Sequence, residues 1–134
     1  MEQFRPVLDL FTLESPGGLR EGTEPPTHAA RREVVEETGL SIKEIIPLIE
    51  TFADVGRLTN KLFGFFALVE GNLRAAEAGI VPKFLAPRDI SAAATKGEIY
   101  PASNIALLYL AGHHSRIQTI CAKLGFDSPP WITR

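Results

Sequence analysis

The sequence predicts an α/β domain: a mixed sheet with helices packed on it. Two observations carry that expectation. Strand-like and helix-like segments interleave without a strict βαβ repeat. At 134 residues, 45% of them hydrophobic and 22% charged, the chain has the size and composition of one globular domain spanning 1–134.

Residues 2–7 (EQFRPV) and 10–14 (LFTLE) carry the aromatic and β-branched content of short strands. Pro16, Gly17 and Gly18 end the second one, and a polar loop runs to Gly22. A helix follows over about 24–38, with Thr23 as N-cap, Pro25 and Pro26 in its first turn, and Gly39 just past its end. Residues 45–51 (IIPLIET) and 60–69 (NKLFGFFALV) are strands joined by the loop 52–59. The second is continuously apolar, the pattern of a central strand covered on both faces. After the loop 71–78 comes a strand at 80–86, pushed toward an edge by Pro82. A short helix over 87–95 stops at Lys96-Gly97, and a long helix spans 102–124. The tail DSPPWITR is expected to be irregular.

The formal net charge is -2, so no broad attraction to nucleic acid or membrane is expected. An anionic ligand must be held by local groups or by a metal. The single cysteine, Cys121, excludes an intrachain disulfide and lies in an apolar helical pattern, where it is expected as a small buried hydrophobe. The N-terminal MEQFRPVLDLFTLE has no signal-peptide apolar region, and no apolar run approaches the ~18 residues of a membrane span. The expected location is cytoplasmic.

Between Pro16 and Leu40 the chain crowds Glu33, Glu36 and Glu37 into about one helical turn. Glu33 and Glu37 share a face, with Glu36 in the same sector. Like charges so spaced disfavour a helix by ~0.2–0.5 kcal/mol per pair. Arg32 can pair with Glu36 one turn on, whereas Glu33 and Glu37 have no obvious basic partner on the helix. Either the face is simply solvated, or the carboxylates await a hard divalent cation.

The surrounding spacing is specific: Gly18, five residues, Glu24, seven residues, Arg32-Glu33-Val34, one residue, Glu36-Glu37, one residue, Gly39-Leu40. This resembles the Nudix box, G-x5-E-x7-R-E-U-x-E-E-x-G-U, at every defined position over 18–40. Upstream, Gln3-Phe4-Arg5-Pro6 and Glu14-Ser15-Pro16-Gly17-Gly18 resemble the Q-(Y/F)-R-P and E-x-P-A-G segments of ADP-ribose pyrophosphatases and related nucleotide-sugar hydrolases, with Gly17 in place of the usual alanine. Gly56 to Asn60, the strand LFGFFALV, Ala78-Gly79-Ile80 and Lys96 to Ile99 are similar to the same branch.

The resemblance implies a Nudix α/β/α sandwich and Mg²⁺ or Mn²⁺ bound by Glu33, Glu36, Glu37 and the Gly17 carbonyl. It implies Arg5 and Glu14 at the substrate, and structural roles for Glu24 and Arg32. Arg57 is either a phosphate contact or a loop-ordering residue. Glu37 and Glu36 are the catalytic candidates on the box helix, Glu36 as a ligand or as the group that orients water.

Two departures from the family pattern stand out. The loop that should carry an acidic base before the 80–86 strand is short, leaving Glu77 as first candidate and Glu70 as reserve. Either Glu77 serves, or it is a plain surface glutamate and Glu36 or ion-activated water takes the role. The chain also begins at the QFRP strand, so the strands that precede it in relatives are expected to be missing, through truncation or because a partner covers the sheet edge.

His113 and His114 point about 100° apart on a helix and suit a surface or interface better than a metal. Phe63, Phe65 and Phe66 are core or a stacking platform. The expected activity is Mg-dependent hydrolysis of a nucleotide sugar of the ADP-ribose type, by a homodimer. The alternatives are a non-catalytic nucleotide-sugar binding domain, a hydrolase of another nucleoside diphosphate derivative, and a fragment that folds only with another polypeptide.

Overall fold

The computed structural model describes residues 1–74 and 78–132. It shows the expected α/β arrangement. Strands β1 (Glu2–Arg5) and β2 (Leu10–Leu13) form a hairpin, and β5 (Ile80–Val81) pairs antiparallel on the other side of β1. Strands β3 (Ser41–Phe52) and β4 (Lys61–Glu70) form a second antiparallel pair. A parallel bridge joins Leu13 to Ile99.

Helix α1 (Pro26–Thr38) starts later than the sequence suggests, and Pro25 rather than Thr23 is its N-cap. The cause is local. A residue before proline is driven out of the helical region, and Pro25, which precedes Pro26, is extended at φ -61° and ψ 144°. The helix ends as expected at Gly39, whose φ of 73° is left-handed and whose N–H donates to the Val35 carbonyl.

That sharp stop lets β3 begin at once, so it is longer than the expected 45–51. Pro47 sits inside it next to a register shift between Pro47 and Ile49, where its missing N–H is tolerated. β5 is shorter than the expected 80–86, ending just before Pro82.

Helix α2 (Pro87–Thr95) is as expected, but the long helix is two. α3 (Ala102–His113) and α4 (Ser115–Lys123) meet at His114, which is extended at φ -80° and ψ 120°. The Gln118 side chain donates to the Gly112 carbonyl (3.0 Å), satisfying one of the α3 carbonyls freed by the break.

The core lies where α3 and α4 meet β3 and β4. Ile46, Ala111, Ile117 and Cys121 are buried together, with Leu48, Phe66, Ile120 and Trp131 packed on them. Cys121 is the buried hydrophobe expected, and burial pushes its thiol pKa up. The tail is not idle. Trp131 stacks on Phe66 with ring centroids 6.0 Å apart, and its indole N–H donates to the Leu108 carbonyl (3.1 Å). No helix among the described residues is long and apolar enough to cross a membrane.

Candidate active site

The segment after β2 and the second half of α1 converge where Gly17 and Gly18 run against the helix. The Gly17 N–H donates to Glu37 Oε2 at 2.8 Å, and Glu37 is only 4% exposed. A methyl group on Gly18 would overlap the Glu33 carboxylate. The two glycines and the two glutamates are therefore in direct apposition.

Arg32 is the hub of this region. Its Nη1 donates to Glu33 Oε1 (2.8 Å) and Glu36 Oε2 (2.9 Å), and its Nη2 to the Leu19 carbonyl (2.9 Å) and Glu24 Oε1 (3.0 Å). These hydrogen bonds hold the guanidinium pKa well above its usual value, Glu24 contributing most. The expected Arg32–Glu36 pair is present. Glu33, by contrast, does have a basic partner, because a long arginine side chain reaches its sequence neighbour even though adjacent Cβ atoms diverge. Glu24 also accepts from the Glu21 N–H (2.8 Å) and ties the loop to the helix.

Arg5 and Glu14 form a two-pronged ion pair across the β1–β2 hairpin: Nε to Oε1 at 2.7 Å and Nη2 to Oε2 at 2.6 Å. The Thr12 hydroxyl also donates to Glu14 Oε1. The arginine and this hydroxyl keep the Glu14 carboxyl below the usual carboxylate range, against the opposing effect of burial. A depressed carboxylate stabilises the fold above its unfolded pKa and loses that contribution as pH falls through the folded one. Thermal melts from pH 7 to 3 should therefore show Glu14→Gln losing less stability than wild type below about pH 4.3. Parallel pH profiles would remove the ion pair as a source of acid sensitivity.

Arg57 lies apart. Its side chain is 85% exposed on the 53–60 loop, with Asp54 3.9 Å away, and it does not line the cleft described next. Glu77 lies outside the described residues, and Glu70 is an exposed partner of Lys43 (2.8 Å).

A cleft of about 1080 Å³ opens beside the glutamates. Glu14, Gly17, Gly18, Arg20 and Glu33 line its polar end, and Phe63 and Phe65 are among its apolar walls. The Arg20 guanidinium lies 5.7 Å from the Phe63 ring centroid, and Arg20 also donates to the Glu24 carbonyl. Sequence reasoning did not single out Arg20, since it occupies an unconstrained position within the box and nothing local signals its ring partner. All three phenylalanines line the cleft, and Phe66 also packs against the core.

The NUDIX domain model matches residues 2–108. The chain belongs to the Nudix family. Membership brings pyrophosphohydrolase activity on the phosphorus anhydride of a nucleoside diphosphate derivative, a small-molecule nucleotide substrate, and the divalent metal ion that Nudix hydrolases generally use. No curated protein matches the chain.

The donor chemistry fits such an ion: hard carboxylate oxygens set against glycines that leave room beside them. Among the described residues, no three acidic, histidine or cysteine side chains already converge on one point. Arg32 and the Gly17 N–H hold the Nudix carboxylates instead. Gly18→Ala should make this dependence measurable. The Glu33 carboxylate must swing away from the new methyl group, so kcat should fall by roughly 100-fold, the scale of a 1 Å misplacement. The melting temperature should barely move, because what the methyl meets is the end of a side chain.

Proposed function

We propose that this Nudix domain hydrolyses the pyrophosphate bond of a nucleoside diphosphate linked to a sugar, ADP-ribose-like, with Mg²⁺ or Mn²⁺. For ADP-ribose the products are AMP and ribose 5-phosphate. The observation that carries the reading is the apposition of Glu33 and Glu37 with Gly17-Gly18 beside an Arg5–Glu14 pair.

Glu33, Glu36, Glu37 and the Gly17 carbonyl are the proposed ligands. A bound ion supplies charge neutralisation at the diphosphate and lowers the pKa of water. Glu37, buried and accepting from Gly17, keeps the loop against the helix. Arg32 holds Glu33 and Glu36 in place and gives them up to a stronger cation. Arg5 is half-exposed and paired with Glu14, a cleft-lining residue, and can exchange that carboxylate for a phosphate oxygen. Glu77 is the proposed base, with Glu36 in reserve. Arg57, exposed and away from the cleft walls, serves as a loop residue that reaches phosphate only if the loop closes. The assembly is proposed to be a cytoplasmic homodimer.

A panel of ADP-ribose, other nucleotide sugars, dinucleoside polyphosphates and nucleoside triphosphates tests the substrate class. Preferential release of a nucleoside monophosphate from nucleotide sugars supports it, and preference for the triphosphates contradicts it. A second reading, a nucleotide-sugar binding domain without turnover, draws on Arg32 occupying Glu33 and Glu36. Calorimetry showing tight ADP-ribose binding with no product over hours would favour it.

A further inference from the structure

Glu14 and Glu33 line the polar end of the cleft, and a diphosphate entering there is itself anionic. Arg5 and Arg32, the arginines that face these carboxylates, are already taken up by them, and neither lines the cleft. An anionic ligand at this end needs a cation whose charge is still available.

Among the described residues, the lysines and arginines that line the cleft are Arg20, Lys61 and Lys83. Lys61 is paired with Glu50 (2.5 Å) and Lys83 with Glu2 (3.0 Å). Arg20 differs. Its hydrogen bonds go to a neutral acceptor, the Glu24 carbonyl, and its guanidinium lies over the Phe63 ring. Among the described residues it forms no ion pair with a carboxylate.

The remaining donors of Arg20 have a defined shape. A guanidinium carries five N–H donors in one plane. The Glu24 carbonyl accepts from Nε (2.9 Å) and Nη2 (2.6 Å), the edge those two nitrogens share. That leaves both N–H groups of Nη1 and the second of Nη2. One from each makes the parallel fork at the tip of the side chain, an edge that matches two oxygens of a phosphate. The Phe63 ring and the carbonyl hold the plane, so little side-chain freedom is lost when the fork is filled. The anchor is firm, because Glu24 is tied to Arg32 of α1 (3.0 Å). Gly18, which abuts the Glu33 carboxylate, stands two residues before Arg20 on the same loop.

We propose, on the reading of the substrate as a nucleoside diphosphate linked to a sugar, that Arg20 is a substrate-binding residue. The fork at its tip grips one phosphoryl group of the diphosphate and holds it beside the glutamates of α1. Unlike Arg5, Arg20 gives up no ion pair to do so.

The test uses the full chain, methylene diphosphonate as a probe that is not hydrolysed, and calorimetry in Mg²⁺. Arg20→Ala should bind the probe roughly tenfold or more weakly than wild type, the scale of hydrogen bonding to a charged group. Arg20→Lys should recover little of that loss, since an ammonium supplies the charge without the planar fork. Mn²⁺ binding without the probe, followed by electron paramagnetic resonance, should be the same in both variants as in wild type. Wild-type affinity for the probe in Arg20→Ala overturns the proposal, and so does full recovery in Arg20→Lys. A wild-type chain that does not bind the probe overturns it as well. Weakened Mn²⁺ binding in Arg20→Ala also overturns it, because the residue would then act by ordering the glycine loop. Failure of the substrate reading looks different: wild type binds the probe, Arg20→Ala does not, and no nucleoside monophosphate is released from nucleotide sugars.

Discussion

Glu37→Gln lowers kcat/KM by more than about 100-fold while leaving the melting temperature close to wild type. The side chain is buried and accepts from the Gly17 N–H at 2.8 Å. Glutamine keeps both the volume and an oxygen acceptor, so the loop remains held. What it removes is the negative charge. Outer-shell partners of a metal ligand alone are worth 10–100-fold, and a ligand should cost more. Steady-state kinetics and a thermal melt on the same preparation separate the two effects. Full activity would remove Glu37 from the ligand set, and a collapsed melting temperature would make its role structural.

Trp131→Ala produces the largest loss of stability, about 3 kcal/mol, at the lower end for removal of a large aromatic because Trp131 is only partly buried. The substitution removes the stack on Phe66 and leaves the Leu108 carbonyl without its indole donor. For a chain of this size that loss corresponds to roughly 10 °C in melting temperature. Calorimetric melts measure it directly. A change under about 2 °C would mean that the tail contributes nothing to the core.

The glutamate pattern was legible because it rests on spacing. The offsets linking Gly18, Glu24, Arg32, Glu33, Glu36, Glu37 and Gly39 are local, and a helix converts them into a shared face. Gly39 likewise announces its left-handed turn. What was hidden depends on long side chains and distant contacts. Arg32 reaching back to Glu33, and Arg20 stacking on Phe63 more than 40 positions away, leave no periodic trace. The break at His114 was hidden because apolar residues continue at helical spacing through it. The short β5 was half-legible: Pro82 marks the stop, but the start of a strand does not fix its end. Pro25 and Pro26 promised a helix start, and the sharper rule, that a residue before proline stays extended, places it at Pro26. The role of Trp131 could not be read from DSPPWITR, since its partners Phe66 and Leu108 lie far back in the chain.

The central claim is that the glutamates of α1 form a divalent-metal site for pyrophosphate hydrolysis. The most direct measurement is AMP release from ADP-ribose, followed by chromatography, in Mg²⁺ and then after chelation. The account predicts turnover to AMP and ribose 5-phosphate that stops with chelator and returns when Mg²⁺ or Mn²⁺ is restored. Turnover that continues unchanged in chelator would contradict it.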